Sequence, residues 1–520
     1  MPKAHELPEI PLLALNENTP TNDADRINNF LYGRSTSLKH FVGAMRKPSD
    51  VQCGGMDLNQ LNQDRNLQSF WTIETFESAF IIRPQNINLL PCEPLSHAKF
   101  SVALQNDPSE SDFHFPLGYA VPNKTIPGIY HVRGNLKPTE CIPSRKYIVS
   151  VKLDYAFMHE TPKDKMEFFG HLDVETVEQY IAYNNESTQF PGSESAIFDM
   201  SAFQCHDMAF NTCTTKQLET LRVYRDATGL NPTECKIPQL WYEDLLETPP
   251  TLCPGGKCKT DQWIHIVGDS NSNYLFNQLV SEKLLVSNCF RDWGFPAHTI
   301  CVRDLTGRGK RKGDITVLVF THWYMDPDSH QPQNAFEGMD LVTLLDSEPY
   351  KRILPQFQTK KEKHEFLKPF KRMGLPTRTI VSMGSHYDHQ TPNAMNITLT
   401  NIFNRMAKTK EWNHYKATTL FVSETPVLTS EFPPKYGTLL HQNNARISER
   451  NRVILATCRK HGFKFIDIYE FAKAQNVWME PGDGLHFKSG KEGYVYNRMV
   501  DSYFLEMGYH PKQQGDSSKK

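Results

Sequence analysis

From Gln262 to Val280 the chain reads QWIHIVGDSNSNYLFNQLV. Apolar residues run from Trp263 to Val267, break at Gly-Asp-Ser, and resume with helical spacing from Tyr274 to Leu285. The same rhythm continues. Apolar runs at Ile315–Phe320, Thr379–Met383, Thr419–Val422 and Phe463–Ile468 alternate with helical stretches at Asn396–Ala407 and Ile447–Arg459. Short continuous apolar strands separated by helices predict a parallel sheet covered on both faces, so residues 261–508 are expected to form an α/β domain.

The pattern upstream is different. In KYIVSVKLDY, Tyr147, Val149, Val151 and Leu153 share one face, the period of two expected of a half-buried strand. The preceding GIYHVRGNL reads as its partner. Residues 66–200 are therefore expected to form an antiparallel, sandwich-like β domain. Residues 1–65 read as a polar, irregular lead-in, 201–260 as a cysteine-bearing connector and 509–520 as a disordered tail. Between Asp326 and Arg378 the alternation is interrupted by the basic stretch TKKEKHEFLKPFKR. It reads either as a solvated helix in an insertion or as a lid or anion contact.

Charge narrows the function classes. The 520 residues carry 57 Lys and Arg against 59 Asp and Glu, a net charge of -2. Such a balance gives no global footprint for nucleic acid or a membrane surface. No apolar run approaches the roughly 18 residues of a transmembrane helix. The N-terminus lacks a basic start followed by an apolar core, so no signal peptide is visible. Yet there are 11 cysteines, seven of them from Cys92 to Cys258, and glycosylation sequons at Asn123, Asn185 and Asn396. These features point to the secretory pathway or the extracellular space, with the cytoplasm as the alternative. The odd count leaves a free thiol, for which Cys458 is the candidate. CPGGKC, Cys253 to Cys258, has the turn of a small disulfide loop or holds two separate thiols; no further ligands accompany it, and no metal is expected.

Function in open α/β sheets gathers at the C-terminal strand ends. Three such ends carry chemistry. Gly268-Asp269-Ser270 places a serine at a helix start, where free N–H groups and the helix dipole favour developing negative charge. The alternative is a helix N-cap. Gly384 and His386, in TIVSMGSHYDH, offer a backbone N–H and a side-chain donor to an oxyanion, or a loop histidine bonded locally. Asp483 and His486, in PGDGLHFKSG, are three apart, so one can orient the other on a single turn. His486 is then a general base for Ser270 and Asp483 its partner. The chain has no Gly-x-Ser-x-Gly, P-loop or His-Glu-x-x-His. GRGKRKG reads as a charged loop, and His265 and His322 as core or supporting residues.

These blocks resemble the SGNH (GDSL-type) esterase superfamily, and within it the PC-esterase branch, which includes neurexophilin and PC-esterase domain proteins and plant trichome-birefringence-like polysaccharide O-acetyltransferases. VGDSNSNYLFNQL resembles the first block, MGSHYDH a Gly-x-His block and DGLH the Asp-x-x-His block. The resemblance covers about 261–508. It implies a three-layer SGNH-like fold, a catalytic Ser270, Asp483 and His486, and the Ser270 backbone N–H in the oxyanion hole. His386 stands where bacterial members have Asn, and Asn273 where many branch members have Arg. Gly307 is the candidate for the second-block oxyanion glycine. The implied function is acyl-ester chemistry on a glycan, as O-acetyltransferase or O-acyl esterase, without a cofactor beyond an acyl donor such as acetyl-CoA in the transferase case. The alternative is a non-catalytic secreted ligand or adhesion protein that keeps the fold as a scaffold.

Overall fold

A computed structural model describes residues 52–53, 56–57, 71–76, 79–84, 99–106, 113–122, 130–133, 140–143, 146–162, 176–182, 197–199, 211–226, 229–239, 262–286, 288–292, 298–304, 315–322, 348–382, 392–427, 444–475, 486–487 and 494–506. The early strands are all antiparallel. β1 (Gln52–Cys53) pairs with β2 (Met56–Asp57). β3 (Trp71–Phe76), β4 (Ala79–Pro84), β7 (Val121–Pro122) and β8 (Tyr130–Arg133) form a sheet in the order β3-β4-β8-β7. A second sheet runs β10-β9-β5-β6-β12-β13. Its strands are β5 (Lys99–Gln105), β6 (His114–Tyr119), β9 (Lys146–Pro162), β10 (Thr176–Ala182), β12 (Val223–Asp226) and β13 (Gly229–Pro232), with β11 (Ile197–Asp199) also on β9.

Tyr147, Val149 and Val151 on β9 are buried, as the period of two predicts. The expected partner strand is not its neighbour. β8 pairs with β4 and β7, whereas β9 pairs with β5, β10 and β11. The reason lies in the faces. Tyr130 of β8 turns its ring onto Phe100 of β5, with centroids 4.9 Å apart. The two sheets thus meet through side chains, and also through the chain itself where β6 passes into β7 at Ala120, whose N–H donates to the Phe100 carbonyl at 2.9 Å.

Residues read as a connector contribute to both halves. β12 and β13 extend the antiparallel sheet, tied by the Cys213–Cys235 disulfide. Helix α1 (Thr215–Leu218) buries Leu218 in the same apolar cluster as Ile264 and Ile466.

The second half is mixed α/β. Its sheet has the order β15-β16-β17-β14-β18-β19-β20. β14 (Gln262–Gly268), β17 (Ile315–His322), β18 (Arg378–Ser382), β19 (Thr419–Val422) and β20 (Lys464–Ile466) are parallel. β15 (Cys289–Asp292) and β16 (His298–Asp304) form an antiparallel pair on one edge, and β16 is antiparallel to β17. The expected parallel sheet forms its centre and one side, and this antiparallel pair extends it on the other. Too few residues separate β15 from β16, or β16 from β17, for a crossover helix, so the chain must turn back on itself. The Cys289–Cys301 disulfide joins the pair.

Helices cover both faces. They are α2 (Ser270–Gln278, continuing as a π-helical turn over Leu279–Lys283), α3 (Tyr350–Ile353), α4 (Lys360–Met373), α5 (Pro392–Met406), α6 (Trp412–Thr418), α7 (Asn444–His461), α8 (Tyr469–Gln475) and α9 (Tyr494–Glu506). Ile264, Ile266, Leu318 and Val422 face α2, α8 and α9. Val267, Val381 and Phe421 face α5, α6 and α7, while Trp263, Val317 and Val319 face α3 and α4. The basic stretch is α4. Its Thr359 and Glu362 form a capping box, and Phe366 and Phe370 are its buried stripe. Among the described residues no helix is long and apolar enough to cross a membrane.

Cys458 is buried and free, and burial pushes its thiol well above the usual range. Asn396 sits within α5, half-buried, and accepts a hydrogen bond from the Thr457 hydroxyl at 3.2 Å. It is no exposed loop acceptor. Asn123, Asn185, Cys253 and Cys258 lie outside the described residues.

Candidate active site

β14 lies where the strand order reverses. The chain leaves it toward β17 on one side and later returns to β18 on the other. That reversal places the start of α2 above the sheet's C-terminal edge, the usual position of a ligand crevice. Gly268 makes the turn possible by close approach. A Cβ there would stand 2.2 Å from Ser272 Oγ and 3.0 Å from Ser382 Cβ.

Asp269 is the N-cap of α2. It is 2% exposed, and its carboxylate accepts the Ser272 N–H at 3.3 Å. Ser270 is therefore not the cap but the first helical residue. Its hydroxyl is released from the capping role that competes with chemistry at such a position.

Ser270 Oγ lies 2.6 Å from His486 Nε2, across 216 residues of sequence. Both residues are half-buried, so their contact is neither sealed in the core nor spread on the surface. The Tyr274 ring tilts against the imidazole with centroids 4.8 Å apart, and it stacks on Tyr496 at 6.2 Å. Tyr496 is completely buried. Its hydroxyl accepts the Phe487 N–H at 3.3 Å and donates to Asn271 Oδ1 at 3.0 Å.

Behind the helix start is a small cavity lined by Asp269, Asn271, Ser382, Glu424, Tyr496 and Tyr503, among others. About 20 Å³ of it can hold the centre of a water molecule. That is room for a water and too little for a sugar.

Of the residues predicted from sequence, the structure brings Ser270 and His486 together. Asn273 sits half-buried in the same first turn, where its N–H donates to the Asp269 carbonyl at 3.0 Å. Asp483, Gly384, His386 and Gly307 lie outside the described residues. His265 is a core residue, 1% exposed, with Nε2 2.8 Å from Thr321 Oγ1. Burial holds its pKa down to about 3. Among the described residues no three His, Cys, Asp or Glu side chains are grouped to hold a metal. Tyr274, Tyr496 and Asn271 were not anticipated. Tyr274 could have been found from its place one helical turn after Ser270; Tyr496 carries no local signal.

No protein-family model matches the chain, and no curated protein matches it.

Proposed function

We propose that the protein performs serine-dependent acyl-ester chemistry on a glycan, on a three-layer SGNH-like fold of the PC-esterase type. The observation that carries this reading is the 2.6 Å contact between Ser270 Oγ and His486 Nε2 at the end of a central parallel strand.

The chemistry follows from that contact. Ser270 Oγ attacks the acyl carbonyl carbon as its proton passes to His486 Nε2. The carbonyl oxygen becomes an oxyanion beside the first N–H groups of α2. His486 then gives the proton to the leaving oxygen of an ester donor, or to the leaving sulfur of a thioester donor; the acyl C–O or C–S bond breaks, and an acyl-Ser270 remains. Water takes the acyl group in an esterase and a sugar hydroxyl takes it in a transferase; in either case His486 removes the acceptor's proton and returns it to Ser270 Oγ as the acyl–Oγ bond breaks. Asp483 is assigned to the far side of the imidazole, with Gly384, His386 and Gly307 as oxyanion or substrate contacts. The disulfides Cys213–Cys235 and Cys289–Cys301 support a secretory setting.

A fluorophosphonate probe tests the reading. Labelling should fall on Ser270 and disappear, by at least about 1,000-fold in rate, in Ser270→Ala and His486→Ala. A folded wild-type protein that takes no label leaves the non-catalytic scaffold as the reading instead.

A further inference from the structure

We propose that Tyr496 is a positioning residue that fixes the distance between Ser270 and His486; the inference rests on the reading of that pair as nucleophile and base. The two residues come from segments with independent supports. Ser270 opens α2, whereas His486 belongs to a loop that precedes α9. A hydroxyl–imidazole contact between them requires something to hold loop to helix, because a displacement of about 1 Å costs on the order of 100-fold in rate.

Tyr496 has the geometry for that task. Its single hydroxyl bonds to the neighbour of each reacting residue: it accepts the N–H of Phe487, next to His486, and donates to the side chain of Asn271, next to Ser270. The oxygen is thus a two-ended link, one end on each segment. The side chain is wholly buried, so the link lies away from bulk solvent. Its ring stacks on Tyr274, whose own ring lies against the imidazole. Tyr496 therefore reaches His486 through the backbone on one side and through Tyr274 on the other.

The rest of the α2–α9 interface differs in kind. Gln278 donates to Asn497 at 3.2 Å, and Lys283 pairs with Asp501 at 2.8 Å. These contacts hold the two helices together but bond to neither Asn271 nor Phe487. They supply the comparison that separates positioning from simple stability.

The test compares Tyr496→Phe with Asn497→Ala in the full chain, by crystal structure and by fluorophosphonate labelling across pH. Tyr496→Phe keeps the ring and loses the link. It should stay folded, open the Ser270–His486 contact beyond hydrogen-bond range, slow labelling by about tenfold or more, and shift the pH of half-maximal labelling. Asn497→Ala should keep the wild-type contact and pH profile. If Tyr496→Phe does not fold, Asn271→Ala removes one end of the link and should give the same displacement. Retention of the 2.6 Å contact with wild-type labelling in Tyr496→Phe overturns the proposal. Failure of the wild type itself to label overturns the nucleophile reading, and the crystal distances then still decide whether Tyr496 sets the contact.

Discussion

Asp269 caps α2, and that assignment changes what Ser270 can do. A serine that caps a helix gives its oxygen to a backbone N–H; a serine one position later keeps it. Gly268 sets this register, because the turn brings Ser272 and Ser382 so close that no side chain fits. Gly268→Ala should therefore push Ser272 away from the Asp269 carboxylate and cost about 1–3 kcal/mol, the usual cost of overpacking. Thermal unfolding should show a lowered midpoint, with slower fluorophosphonate labelling of the folded fraction. An unchanged midpoint would mean that the turn yields. The serine was legible because it follows the apolar run Trp263–Val267, and the histidine because it stands three residues after Asp483 in a Gly-rich block. Asn271 and Tyr496 were not legible. Their importance comes from two bonds across 225 and 9 residues, and neither spacing belongs to a local pattern.

At the scale of elements, legibility followed burial. β19 runs Thr419–Val422 as its apolar run predicts, and α7 extends the expected helix by three residues at its start and two at its end. β15 was missed because an edge strand lacks the continuous apolar run of a central one, and Arg291 on it is exposed; β16 is buried from His298 to Cys301, but His298 and Thr299 interrupt its apolar pattern. What ties elements to each other was not legible either. Just past β19, Glu424 forms a fully buried ion pair with Arg450 of α7, and Asn451 accepts the Glu424 N–H at 2.8 Å. Such pairs punish the loss of one partner more than the loss of both. Arg450→Met should cost about 3–5 kcal/mol in urea unfolding, and Arg450→Met with Glu424→Leu should recover most of that loss. Equal losses in the single and double variants would show that packing, not the stranded carboxylate, sets the cost.

Across the whole molecule, buried histidines connect stability to pH. His114 lies in the antiparallel sheet, while His265 and His298 lie in the mixed sheet around Thr321. Burial is the main cause that holds them neutral. Their pKa values fall to about 3, about 3 and about 4, with further lowering from Arg225 and Lys473 at His114, from His298 at His265 and from Arg352 at His298, where Asp292 opposes. Near pH 5 the unfolded chain binds about three protons at these histidines that the folded chain does not, a difference that fades toward pH 4 and above about pH 6.5. Stability from these groups is complete above the unfolded histidine pKa and is lost as pH falls. Asp467 acts in the opposite direction. Burial raises it to about 7, with Glu470 adding and with Ser423, the Tyr469 N–H and Lys473 opposing, so the folded chain holds a proton that the unfolded chain releases above about pH 4. From these four groups the net difference near pH 5 is about two protons, a contribution to the slope of about 2.7 kcal/mol per pH unit. Urea unfolding from pH 4.5 to 7.5 should show stability rising with pH through about 6.5 and levelling toward pH 7. His265→Gln cannot take up the proton in either state, so it should lower the slope by about 1.4 kcal/mol per pH unit, whatever its own cost in packing. A slope that His265→Gln leaves unchanged would mean that His265 is not held neutral by the fold, and the dry core around Thr321 would have to be wetter than its burial implies.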